Sequence, residues 1–506
     1  MELEFERDHL HGYETVLDTT LCQEETMESI VPDACPDIQR VVDCCGQAFL
    51  SGKLIRDGLA SVSGVIRVSL LYQPEGEAGG LRRMELSLPF TCQAEAAGLT
   101  EAGILLASPR LRWAEARILN PRKVLLRVEL AVDLTACQPQ DQSVCGSVLD
   151  PEVHSVCQMA TQQESYQLSA VQERPFSFGE QIRLPGDALQ VLSCRVTPVC
   201  TESKLIGTKL IFKGSVDVQL LLQSSEGALS AHREPLTFSQ VMEVAGVGEE
   251  GDCHVTVELN DLTWELSSDG GQSLDMSLDL LAQAQVWNRR PMTMLQDLYS
   301  TLWNTEVQIG QQPVRQLVEQ SVRPQSVREL LESGMLVRSV VDSWLSVGEV
   351  TRSREGEQMV LTARPRLSVL CLDEEDQPQT IHKELEVTCR LDCPEGAVCF
   401  CRCLCPGEVF AAPASGGLEV RFTLEFHCMA LLERKIPAVT GGRLTEERAH
   451  GGEDRPSMVL RLAAPGEDLW DIAKAYGTTM EEIRQANELE EGALPGNTML
   501  LIPRAR

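Results

Sequence analysis

The chain of 506 residues is too long for one core and suits about three to five domains at ~100 to 200 residues each. It sets 44 Lys and Arg against 75 Asp and Glu, a formal net charge of −31, which excludes general nucleic-acid binding and adsorption onto anionic lipid, because both need basic patches. A hydrophobic fraction of 43% is that of folded chains, so the charge points to solubility and a basic partner surface rather than to disorder.

The opening Met1-Glu2-Leu3-Glu4-Phe5-Glu6 is acidic where a secretory leader needs a basic start and an apolar core. No run approaches the ~18 apolar residues of a membrane span, so the expected compartment is the cytosol. There, nineteen cysteines, an odd number, read as thiols. Residues 1–28 are polar, and His9 with His11 lack a third ligand, so the stretch reads as an exposed acidic N-terminal segment.

From residue 29 the chain repeats itself. Gly64-Val65-Ile66-Arg67-Val68-Ser69-Leu70-Leu71 is echoed about 150 residues later by Gly214-Ser215-Val216-Asp217-Val218-Gln219-Leu220-Leu221, and again by Ala363-Arg364-Pro365-Arg366-Leu367-Ser368-Val369-Leu370. Lys53-Leu54-Ile55 is matched by Lys204-Leu205-Ile206, and Val41-Val42-Asp43 by Val340-Val341-Asp342. One unit has been copied three times, over residues 29–150, 175–293 and 337–437. Apolar residues alternate with polar ones in each copy, and Pro74-Glu75-Gly76-Glu77, Ser224-Ser225-Glu226-Gly227 and Asp373-Glu374-Glu375-Asp376 supply hairpin turns. Each copy is therefore expected to be mainly antiparallel β, as a sandwich or an open barrel.

Between the second and third copies, residues 294–336 read as a helical connection, with Val327, Leu330 and Leu331 at helical spacing. Residues 438–456 are rich in Gly and charge and read as a flexible tether of ~19 residues, spreading over roughly 25 Å and letting the C-terminal segment search independently.

The third copy holds a dense cysteine cluster, Cys389, Cys393, Cys399, Cys401, Cys403 and Cys405. A closed zinc site uses paired Cys-x2-Cys ligands, whereas the last four of these alternate and share one strand face. Core packing is the favoured reading, ahead of crosslinking and of metal binding. The histidines are scattered, with no nucleophile elbow beside them, and no phosphate loop occurs, so neither a catalytic residue nor a cofactor is expected.

The last segment, residues 457–503, is a module in itself. Met458 to Leu462 alternates as a strand, Asp468 stands at a helix N-cap, and Leu469, Ile472, Ala473 and Tyr476 form one apolar stripe ended by Gly477. Thr479 and Glu482 have capping-box spacing for a second helix, and Met499 to Ile502 is a closing strand, giving a small βααβ unit with Trp470 to fill or flank its core. Its three basic residues face eight acidic ones, and like charges oppose an anionic glycan.

Residues Pro465 to Ala473, Tyr476 to Thr479, Ile483, Asn487 and Leu494-Pro495-Gly496 make this module resemble a LysM domain. The resemblance implies a groove between two loops, formed by Gly466, Glu467, Asp468 and Leu469 on one side and Asn487, Leu489, Leu494, Pro495 and Gly496 on the other. It also implies a peptidoglycan or other N-acetylglucosamine glycan as ligand. The copies resemble the SPOCS domain of spore-forming bacteria, most clearly in Val31-Pro32-Asp33-Ala34-Cys35-Pro36-Asp37-Ile38 and again in Leu184-Pro185-Gly186-Asp187. Three such copies before a LysM module resemble the SipL-like spore-coat morphogenetic family. That resemblance implies an adaptor in the mother-cell cytoplasm at the forespore surface, with a coat morphogenetic ATPase (SpoIVA-like) as partner and self-association as a further property.

Overall fold

Three ribbons, each of two very long antiparallel strands, organise the chain. The computed structural model describes all residues except 77–79, 187, 246, 248–249, 268–272, 448–456, 465, 491–497 and 504–506.

The first copy comprises β1 (Phe5–Ile30), β2 (Ile38–Arg56), β3 (Leu59–Pro74), β4 (Arg82–Glu95), β5 (Ile104–Asn120) and β6 (Lys123–Val148). The second runs as β7 (Val156–Arg183), β8 (Ala188–Ile206), β9 (Lys209–Ser224), β10 (Leu229–Glu243), β11 (Asp252–Leu266) and β12 (Ser273–Ser300). In the third, β13 (Trp303–Leu331) precedes β14 (Val337–Ser346), β15 (Val350–Glu355), β16 (Gln358–Ala363), β17 (Arg366–Asp373), β18 (Pro378–Glu384), β19 (Val387–Asp392), β20 (Val398–Leu404), β21 (Phe410–Ala414) and β22 (Gly417–Glu447). The module at the end is β23 (Met458–Leu462), α1 (Leu469–Tyr476), α2 (Met480–Asn487) and β24 (Met499–Pro503).

Strand β1 pairs along its length with β6, β7 with β12, and β13 with β22. Against each ribbon lies a second sheet, β2-β3-β4 in the first copy and β8-β9-β10 in the second. In the third it divides into β14-β17-β18 and β15-β16-β19. Each copy is thus a sandwich, closed by a core such as Val62, Ile66, Phe90, Leu126 and Leu130 in the first and Phe212, Val216, Phe238 and Leu278 in the second. The expected hairpins are present, joining β3 to β4, β9 to β10 and β17 to β18. The reference residue of the repeat also gains a reason. A Cβ on Gly64 would lie 2.1 Å from the Phe49 carbonyl oxygen, and one on Gly214 would lie 2.1 Å from that of Val199. The third copy has Ala363 at this position, the last residue of β16.

Several expected boundaries need correction, all for one reason. Residues 1–28 are no exposed tail: Phe5–Ile30 is a ribbon strand, and His11 pairs with Asp141 across it at 2.7 Å. Residues 294–336 are no helical connection, since they hold the end of β12 and the whole of β13, whose side chains alternate between exposed and half-buried. The tether expected over 438–456 is strand as far as Glu447, with Leu3 and Leu444 closing one small core; 448–456 lie outside the described residues. β1, β7 and β13 are the same strand in three copies, so each repeat begins 19 to 34 residues earlier than its internal echoes suggest. Their outward faces carry polar residues, which hid them.

Corresponding positions of the three copies meet on a pseudo-threefold axis. Leu71, Leu221 and Leu370 share one cluster with Val42, Leu192 and Val341. Their register neighbours Asp43, Ser193 and Asp342 form the next layer, and Cys45, Arg195 and Trp344 the one after.

Candidate functional site

In the C-terminal module the local chemistry behaves as its residues dictate. The Asp468 carboxylate accepts from the Trp470 backbone N–H at 3.0 Å, capping α1, and Gly477 ends that helix in the left-handed region at φ 68°. Thr479 and Glu482 form the reciprocal capping box of α2. The Glu482 carboxyl is held below its ordinary range, first by the Thr478 hydroxyl that donates to it at 2.6 Å. β23 and β24 pair in antiparallel register, and both helices cover one face of this two-stranded sheet.

The described residues among those expected in a groove also hold the module's own structure together. Glu467 bonds Arg461 at 2.5 Å and accepts from the Ala464 N–H at 2.8 Å, so it closes the turn that Gly466 opens at φ 85°. Leu469 is buried in the core. Asn487 clamps α2 to β24: its amide donates to the Ile483 and Leu501 carbonyls and its oxygen accepts from the Leu501 N–H. Leu489 packs partly against the core, while Leu494, Pro495 and Gly496 lie outside the described residues.

The opposite sheet face is the surface sequence reasoning missed. Met458, Leu460, Leu462 and Met499 are each more than half exposed. In register these form three rungs, Met458 beside Pro503, Leu460 beside Leu501 and Leu462 beside Met499. All six side chains are uncharged, and Arg461 points to the other face toward Glu467 and Tyr476. The signal was present, because β23 places Met458, Leu460 and Leu462 on the face away from the helices and Val459 with Arg461 on the covered one.

The module does not search freely. Trp470 Nε1 donates to Asp297 at 2.8 Å, Lys474 Nζ contacts both Asp297 oxygens at 2.7 Å, and Tyr299 donates to the Thr478 carbonyl at 2.9 Å. The rings of Tyr299 and Trp470 meet edge to face, 4.9 Å between centroids. Asp297 follows a bulge in β12, which turns its side chain toward the module.

A second candidate lies on the axis, where a cavity of about 880 Å³ is lined by all three copies. At one side Ser108, Glu258 and Arg402, which hold corresponding places on β5, β11 and β20, converge: Ser108 donates to Glu258, and Arg402 Nη1 lies 3.5 Å from Ser108 Oγ. Burial pushes the Glu258 carboxyl up, against the pull of Ser108 and Arg402. Nearby, burial also pushes Asp133 up, but Arg110 and Arg402 outweigh it and hold that carboxyl below its ordinary range. The guanidinium of Arg195 lies 4.1 Å over the Trp344 ring and pairs with Asp342. Arg110 is paired with Asp133 and Arg195 with Asp342, whereas the hydrogen-bond partners of Arg402 are the hydroxyls of Ser108 and Thr135.

Most of the cysteine cluster is buried in the core of the third copy, which is how alternating cysteines on one strand face were expected to behave. Among the described residues no three His, Cys, Asp or Glu side chains are arranged to hold a metal ion. No helix among them is long and apolar enough to cross a membrane.

Two family models match the chain: "SipL, SPOCS domain" over residues 187–267, and "LysM domain" over residues 464–503. The first match spans β8 to β11 of the second copy, and the first copy repeats the same strand order. No curated protein and no solved structure matches the chain. Both matched domains are binding modules, and one is a domain of sporulation proteins.

Proposed function

With a SPOCS domain and a LysM domain in one chain, we propose that the protein is a non-enzymatic adaptor in spore-coat or spore-envelope assembly. Its LysM module docks on a coat morphogenetic protein, a SpoIVA-like ATPase, at the forespore surface. The observation that carries this reading is the uncharged three-rung face of β23 and β24. Contiguous exposed apolar faces of this kind mark protein contacts, and a glycan offers too little apolar surface to cover six aliphatic side chains. The Gly466–Asp468 turn, continuous with the end of β23, borders the contact. The axial packing of three copies supplies a rigid body that presents the module.

The LysM match itself favours a second reading, binding of an N-acetylglucosamine glycan such as peptidoglycan. Full-length protein, immobilised and offered purified SpoIVA-like ATPase or insoluble peptidoglycan in turn, separates the two. The ATPase is retained, and replacing Leu460→Asp with Leu462→Asp lowers that retention at least tenfold while far-ultraviolet circular dichroism is unchanged. Retention of the wall alone returns the module to glycan binding and removes the adaptor reading.

A further inference from the structure

Strands β20 and β22 set Cys401 directly opposite Cys428, and their Sγ atoms lie 3.6 Å apart, the one sulfur–sulfur hydrogen bond among the described residues. Bonded sulfurs sit at about 2.05 Å, and directly opposed antiparallel residues, with Cα atoms about 4.5 to 5.5 Å apart, fall within the range a disulfide spans. Both residues are buried among Cys389, Cys399 and Cys403, yet both also line the axial cavity, which is roomy enough to admit small solutes. The cluster lacks the arrangement of a metal site.

We propose that Cys401 and Cys428 are a modification site for hydroperoxides, oxidised through the axial cavity to a strand-to-strand disulfide. The Cys428 thiolate attacks the O–O bond of hydrogen peroxide, becoming a sulfenic acid, and the departing hydroxide takes a proton to leave as water. Cys401 sulfur then attacks the sulfenic sulfur, and the displaced hydroxide takes the Cys401 proton as a second water. Two thiols and one peroxide give one disulfide and two waters, with two electrons passing from sulfur to oxygen.

The order follows from the charges and hydrogen bonds around the two thiols. The hydrogen bond shared with Cys401 pulls the Cys428 thiol below its ordinary value, against burial and with help from Arg323 and Arg352, while the same bond pushes Cys401 up. Burial raises Cys399 and Cys403 to about 12, so their thiols stay protonated and slow to react.

The test uses full-length protein, one equivalent of hydrogen peroxide, alkylation of the remaining thiols and peptide mapping without reductant. Two of the nineteen thiols are lost, one peptide pair links Cys401 to Cys428, and dithiothreitol reverses it. In Cys401→Ser the linked pair is absent and Cys428 accumulates as a dimedone-trapped sulfenic acid. Should that variant fail to fold, Cys401→Ala, which keeps a small apolar side chain, gives the same readout. Cys371→Ala, outside the cluster, leaves the linkage intact. A different cysteine pair, or Cys428 passing to sulfinic acid unlinked in the unsubstituted chain, overturns the proposal.

Discussion

Asp43 is a buried carboxylate whose environment sets a pH dependence for the whole body. It shares Arg195 with Asp342, which takes the direct ion pair, and burial then pushes the Asp43 carboxyl up to about 6 although Arg195 pulls the other way. A folded-state value above the unfolded one means that the protonated form is the better accommodated. The stabilising contribution is therefore complete below the unfolded value near 4 and is lost as pH rises through about 6, by about 3 kcal/mol in all. In Asp43→Asn the neutral amide takes the same place, so urea midpoints measured from pH 4 to 7 lose this downward slope. A slope identical to that of the unsubstituted protein would place the titrating group elsewhere.

At the scale of elements, the contact between module and ribbon is the weak point to probe. Asp297 alone receives the Trp470 indole and the Lys474 ammonium, so Asp297→Ala removes two charge-assisted contacts at once, each worth roughly 1.5 to 3 kcal/mol. Amide exchange in α1 is expected to quicken at least tenfold in that variant while exchange in β3 and β9 stays unchanged. Equal rates in α1 would mean that Tyr299 suffices to hold the module. This contact joins residues 173 and 177 positions apart, which no local pattern discloses. The module itself was legible, because Asp468, Gly477, Thr479 and Glu482 act within a turn of where they stand. β13 was not: Val327, Leu330 and Leu331 happen to fall at helical spacing, while the true period of two is blurred by polar residues on its outward face, and Leu330 itself faces solvent. The bonds of Glu467 and Asn487 to their own turn and strand were not legible either, since such partners are invisible until the neighbours are placed.

For the whole molecule, the ribbons matter more than the repeats first seen in the sequence. A chain starting at Val31 keeps every residue of the first internal echo but leaves β6 without β1 along almost its full length. Such a chain is expected to lose exchange protection throughout β6 and to aggregate through the bared edge. Native-like protection in β6 would show that the sandwich stands without its outer strand. Along the axis, Ser108, Glu258 and Arg402 meet from three corresponding positions. A ring of three identical subunits must place the same side chain at its centre three times, and three glutamates or three arginines there would repel one another. Fusion into one polypeptide lifts that obligation, so each copy can drift toward a different charge so long as the three together balance. The copies are then no longer interchangeable, and the order in which the gene strings them together has become part of the protein's design.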